Sequence, residues 1–230
     1  MRNKISKRQK DFYNLNRQEL IDKYLADFPR HIDPDAVRDS FAPIGYDRTN
    51  VQKFQGICKV LTKDIYNEAL IRNKGKVNKV IFASGLPASG KTSHLKMMAQ
   101  NELIYDGTIN DEQKFIDFAQ TALDMGFTVE VFIYSADPKR AFKSNLERGD
   151  LIGRYVPISH FEKVANTINS RGALLKKHFN RKVKFRNFEH TNFEGKQTKF
   201  SPLIVNRNEL ERIANRHKFP DSQRLQEVIG

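Results

Sequence analysis

Three observations in the sequence predict an α/β fold: a parallel sheet flanked by helices, with an N-terminal helical extension. From about residue 76 onward, short runs rich in β-branched and aromatic residues alternate with helical stretches, the pattern of strands paired in parallel through helical crossovers. Before that point, apolar residues recur at helical spacing only. Between the first strand-like run and the helix-like run after it stands a glycine-rich loop.

In residues 16–72, "RQELIDKYLADF" and "NVQKFQGICKVLTKDIYNEALI" carry the helical period. The stretch "PRHIDPDAVRDSFAPIGYDRTN" separates them, and its Pro and Gly residues prevent one long helix. "RNKGKVNK" then breaks the pattern with charge and Gly. "VIFAS" (80–84), "ELIYD" (102–106), "TVEVFIYS" (128–135) and "KVKFRNF" (182–188) read as strands, with helical stretches such as "DEQKFIDFAQTALDMG" between them. Asp137-Pro138 starts a helix, with Asp as N-cap and Pro at the first helical position. The expected division is an N-terminal extension over 1–75, a core over 76–205 and a C-terminal tail over 206–230. Whether that tail folds onto the core is open at this level.

The 39% hydrophobic content, with 17 Phe and 7 Tyr, provides for a buried core without cross-links. No apolar run approaches the ~18 residues that span a bilayer, and the basic N-terminus has no apolar stretch behind it. The expectation is a protein with no membrane contact and no cleaved secretion signal. The single Cys58 cannot form an internal disulfide and reads as filling a helix face, which fits a reducing, cytoplasmic setting. The net charge of +13 favours phosphate-rich partners, nucleic acid among them. Its excess gathers in residues 1–10 and in "RGALLKKHFNRKVKFR" (171–186), which is either a binding surface or a solvated basic face.

"GLPASGKT" is a full G-x-x-x-x-G-K-[ST] match, Gly85 through Thr92, in the strand-loop-helix setting that the motif requires. Glycines let backbone N–H groups turn inward around phosphate oxygens, and the following helix adds positive potential there. Gly85, Ala88, Ser89, Gly90, Lys91, Thr92 and Ser93 form the expected nucleotide-binding set. Lys91 reaches the β and γ phosphates, and the Thr92 hydroxyl is offered to Mg²⁺. The expected ligands are therefore ATP and Mg²⁺.

Four further features bear on where the phosphate goes. Asp106 follows a strand fifteen residues after Lys91, where it holds Mg²⁺, accepts a proton from an acceptor hydroxyl, or simply shapes the turn before Gly107. Arg148 and Arg154 in "LERGDLIGRYVP" are either phosphate clamps on a mobile segment or surface arginines. Asp33, Asp35 and Arg38 in "HIDPDAVRDSFAP" surround a helix start that Asp33 can cap. In "RKVKFRNF", period two puts Val183 and Phe185 on one face and Lys182, Lys184 and Arg186 on the other, which suits a nucleic-acid backbone or water.

Over roughly residues 30–190 these stretches resemble the zeta-toxin family of P-loop kinases. The likeness rests on "VIFASGLPASGKTSHL", on "IYDGTIND" followed by "GFTVEVFIYSADPKRAFKSNLER", and on "GRYVP". The resemblance implies a P-loop kinase-like fold and transfer of the ATP γ phosphate to a hydroxyl of a sugar or nucleotide-like molecule. It also implies growth inhibition unless a partner antitoxin is present. Lys91 and Thr92 match the family's P-loop lysine and Mg²⁺ hydroxyl, and Arg148 and Arg154 match its phosphate-clamping arginines. The family commonly places an Asp-x-Asp-x-x-Arg acceptor element downstream of the P-loop, whereas here the lookalike, Asp33, Asp35 and Arg38, lies upstream. Two carboxylates thus compete for the role of general base, Asp106 being preferred to Asp35. The leading reading is a kinase for a small hydroxyl acceptor such as a nucleotide-sugar. A polynucleotide kinase and a nucleic-acid-associated ATPase are the alternatives.

Overall fold

The computed structural model describes residues 4–98, 101–107, 111–153, 155–189, 192–196, 203, 205–220 and 222–229. The chain opens on helix α1 (Lys7–Asp27), started by a capping box in which Ser6 and Gln9 satisfy each other's backbone N–H groups. A two-residue strand β1 (His31–Ile32) leads into the short helix α2 (Pro34–Asp39), which Asp33 caps by accepting the Asp35 N–H. Helix α3 (Val51–Asn73) follows a 3₁₀ turn, and β2 (Lys79–Gly85) then runs into α4 (Lys91–Met98).

The rest alternates: β3 (Leu103–Asp106), α5 (Glu112–Asp124), β4 (Thr128–Ser135), α6 (Pro138–Ile152), α7 (Ile158–Phe179) and β5 (Val183–Glu189). The hairpin strand β6 (Asn192–Lys196) and helices α8 (Arg207–Arg216) and α9 (Ser222–Ile229) complete it. Asp137 caps α6 through the Arg140 N–H, and Gly153 ends that helix at φ 70, a left-handed conformation that glycine adopts without a Cβ clash. The two shortest pairings, β1 and β6, were not among the predicted strands. Two apolar-edge residues give no period to read, and β1 exists because β3 offers it a partner.

The sheet order is β1-β3-β2-β4-β5-β6, with the first five strands parallel and β6 antiparallel to β5. Every parallel strand therefore delivers its following loop to the same carboxyl edge, where open α/β sheets bind ligands. Period two sorts the central strand cleanly: Val80 and Phe82 join one apolar cluster, Ile81 and Ala83 another. The first cluster takes α1, α3 and α5, with Tyr66 of α3 stacked on Phe118 of α5 at 4.5 Å between ring centroids. Leu95 of α4 covers Ile81 and Phe132 on the opposite face.

A third cluster joins α6 and α7 to Leu210, Ala214 and Val228 of the last two helices, so the C-terminal tail folds onto the core. No helix among the described residues is long and apolar enough to cross a membrane.

Candidate active site

Strand β2 ends on Gly85, where backbone crowding leaves no room for a side chain: a Cβ would lie 2.7 Å from Tyr134 Cβ and 2.9 Å from Ser89 Oγ. Ala88 and Gly90 take left-handed backbone at φ 59 and φ 79, which turns the intervening peptide groups inward before α4 begins at Lys91. The Ser89 hydroxyl is buried and has no hydrogen-bond partner among the described residues. A buried hydroxyl without a partner costs free energy, and a phosphate oxygen in the loop would supply one. Thr92 stands exposed in the first turn of α4. The helix backbone at Ser93 follows, its side chain lying outside the described set.

Asp106 closes β3 beside this loop. Its carboxylate contacts the Lys91 ammonium and lies 3.6 Å from His31 Nε2, at 6% exposure for the residue. The register places Ile32 opposite Tyr105, so the residue after β1 falls at the level of Asp106. That residue is Asp33. Tyr24 fixes it there, accepting the Asp33 N–H at 2.8 Å and donating to the His31 carbonyl at 3.1 Å. Asp35 pairs with Arg38, which is buried and also donates to Gln55 at 2.8 Å.

Charge is concentrated here under partial burial, and it shifts protonation. Burial pushes Lys91 down to about 8; Asp33 and Asp35 pull it back up, and Arg148 pushes it down further. Burial raises the Asp33 carboxyl above its ordinary range, with Asp35 acting in the same direction, against its own cap bond, Lys91 and His31.

A single cavity of about 1350 Å³ unites the P-loop, Asp106, Asp33, Asp35, Arg38 and Arg148. Of the residues expected from sequence, Arg154 lies outside the described residues, while its neighbour Tyr155 packs against Gly149. Four cations on the cavity wall escaped the sequence reading: Arg48, Lys59, Lys114 and Arg224. Lys114 donates to the Tyr105 hydroxyl at 3.2 Å with its ammonium 5.0 Å from the Phe118 ring, and burial lowers its pKa. Its position in an amphipathic helix, at i and i+4 with Phe118, is the only sequence signal that would have pointed to it.

Other expectations land away from chemistry. Cys58 is buried, its thiol donating to the Pro34 carbonyl at 3.3 Å and pushed up by burial, so it packs α3 as expected. On β5, Val183 and Phe185 are buried on one face as the period predicts, but Arg186 on the other donates to the buried Glu130 at 3.0 Å.

Residues 97–195 match the family model described as Zeta toxin. That stretch is similar to the zeta-toxin family. No curated protein matches the chain. The matched stretch runs from the end of α4 through β6, so the zeta-toxin likeness and the α/β sheet with its parallel strands agree on a P-loop kinase-like fold. The P-loop and the Asp33–Arg38 stretch precede the match. In space the order ceases to matter: β1 pairs on the outer side of β3, and the upstream carboxylates reach the same cavity from there.

Proposed function

We propose that the chain is an ATP-dependent kinase that transfers the γ phosphate to a hydroxyl of a nucleotide-sugar or nucleotide-like small molecule. The observation that carries this reading is the convergence of Lys91, Asp106, Asp33 and Asp35 on one cavity large enough for two ligands. A hydrolase needs room for one nucleotide and a water; here a second wall, formed by α2, the segment before α3 and the first half of α3, extends the space past the P-loop.

In the proposed reaction a carboxylate takes the proton from the acceptor hydroxyl as its oxygen bonds to the γ phosphorus. The bond from that phosphorus to the β-phosphate oxygen breaks, and ADP leaves in line. Lys91 and Arg148 offset the negative charge that develops. Asp106 spends its carboxylate on Lys91, Asp35 pairs with Arg38, and Asp33 carries the raised proton affinity that suits a base. Asp33 thus joins Asp106 and Asp35 as a candidate for that role, and we place the base there. The Thr92 hydroxyl with the Asp106 carboxylate is a donor set that suits Mg²⁺, which takes few protein ligands and completes its shell from phosphates and water. Such an ion would neutralise charge on the phosphate oxygens.

The test offers γ-labelled ATP and Mg²⁺ with nucleotide-sugars, NAD and 5′-hydroxyl oligonucleotides in separate reactions. Label on a small acceptor, reduced by about 10²–10³-fold in Lys91→Ala, is the expected result. Label on the oligonucleotide would replace this reading with a polynucleotide kinase, and release of free phosphate alone would replace it with an ATPase. The toxin part of the proposal is tested in cells: expression of the chain arrests growth, expression of Lys91→Ala does not, and a cognate antitoxin protein relieves the arrest.

A further inference from the structure

The proposed transfer uses the P-loop and the walls at α2 and β3, but the cavity also reaches α6, the segment before α7 and helix α9. In-line displacement puts the acceptor oxygen and the leaving ADP on opposite sides of the γ phosphorus. With the acceptor carboxylates on the β1–β3 side, the nucleoside of the donor lies towards Asn145, Tyr155, Val156 and α9.

Helix α9 is seated firmly against that end. Val228 is fully buried in the same apolar cluster as Leu86 of the P-loop and Tyr155 of the loop between α6 and α7. Phe219 meets the Tyr155 ring edge-on at 5.4 Å. His217 Nε2 lies 2.8 Å from Asp150, whose carboxylate also accepts the Tyr155 hydroxyl at 2.6 Å. From this seat Arg224 and Glu227 face the cavity, the guanidinium donating to both carboxylate oxygens at 2.9 and 3.0 Å. Both bear electrostatically on the Tyr155 hydroxyl, which places them at the same end. A flat guanidinium stacks on a base, and a carboxylate accepts the paired hydroxyls of a ribose.

We propose that α9 completes the nucleotide site, with Arg224 and Glu227 contacting the base and ribose of the bound nucleoside triphosphate. The inference rests on the nucleotide reading above, and it gives the C-terminal segment a part in recognising the donor. It separates two affinities that a P-loop alone would merge: one for the triphosphate and one for the nucleoside.

Calorimetric titration of the full chain with ATP and, separately, with inorganic tripolyphosphate reads the two apart. Arg224→Ala and Glu227→Gln are each expected to weaken ATP binding on the order of tenfold while tripolyphosphate binding stays at the wild-type value. The pair is partly exposed, at 32% and 52% for the two side chains, so its loss leaves the thermal midpoint near that of the wild type. Arg224→Lys, which keeps the charge and loses the flat fork, is expected to behave like Arg224→Ala with ATP. Unchanged ATP affinity in the variants, or equal loss for both probes, overturns the assignment. A wild-type chain that binds neither probe instead sinks the nucleotide reading itself.

Discussion

Asp33 holds two jobs that pull in opposite directions. As N-cap it satisfies the Asp35 N–H, and as a carboxylate near Lys91 it carries a charge that burial disfavours. Because the folded state raises its proton affinity, the ionised form is held at a cost at neutral pH. That cost disappears as pH falls through the unfolded carboxyl value of about 3.9, where the group is protonated in both states. Asn caps helices as well as Asp does, so Asp33→Asn keeps the cap and removes the charge. The variant is expected to melt above the wild type at pH 7, with the difference closing near pH 3.5 in a pH series of melts. Its turnover is expected to fall by about 10²–10⁴-fold, whereas loss of cap structure alone would lower stability at every pH. Gly85 through Thr92 and Asp106 were legible as residues because motif and spacing are local. Asp33 was legible as a cap and as part of an acceptor-element lookalike, but not as the base: its place beside Lys91 depends on a strand pairing across the sheet.

Among elements, β1 is the least readable and the most consequential for the site. Two residues cannot hold a strand by propensity, so the pairing with β3 is held from outside by Tyr24 of α1. Tyr24→Phe leaves the Asp33 N–H without its partner, expected to cost about 1–3 kcal/mol by denaturant unfolding and to lower turnover beyond what stability explains. The end of α6 is a second vulnerable element. A Cβ at Gly149 would meet the Tyr155 ring at 2.2 Å, so Gly149→Ala displaces the ring that carries the Asp150 and Phe219 contacts. Overpacking of this kind costs about 1–3 kcal/mol, and ATP affinity is expected to fall with it, read by melting and titration on one preparation. The sequence exposed the start of α6 well, since Asp137-Pro138 punctuates it. It left the loop after α6 open because Arg148 on a helix and an arginine on a surface look alike without the cavity.

On the scale of the molecule, two apolar clusters line the faces of one sheet and a third joins the last helices, and the first draws residues from α1, α3, α5 and α7 together. The residues expected to form an N-terminal extension therefore lie against Phe82 and Tyr105 and share their core. We expect near-ultraviolet and far-ultraviolet melting curves to coincide; an early, separate loss of helix would mark the first 75 residues as an independent unit. Alternation of strand and helix made the architecture readable, because period and punctuation are written along the chain. The order of strands and the seat of the last two helices were not, since both are decided by which apolar faces meet.

Pairing of residue 31 with residue 104 also sets a timetable for synthesis. Asp33 and Asp35 leave the ribosome first, yet they have nowhere to dock until β3 has followed them out. A chain released before Asp106 would carry Asp33, Asp35 and even the P-loop, but without the strand that gathers them it would be inert. The proposed activity would arrive late and all at once, after the sheet has closed around its own beginning.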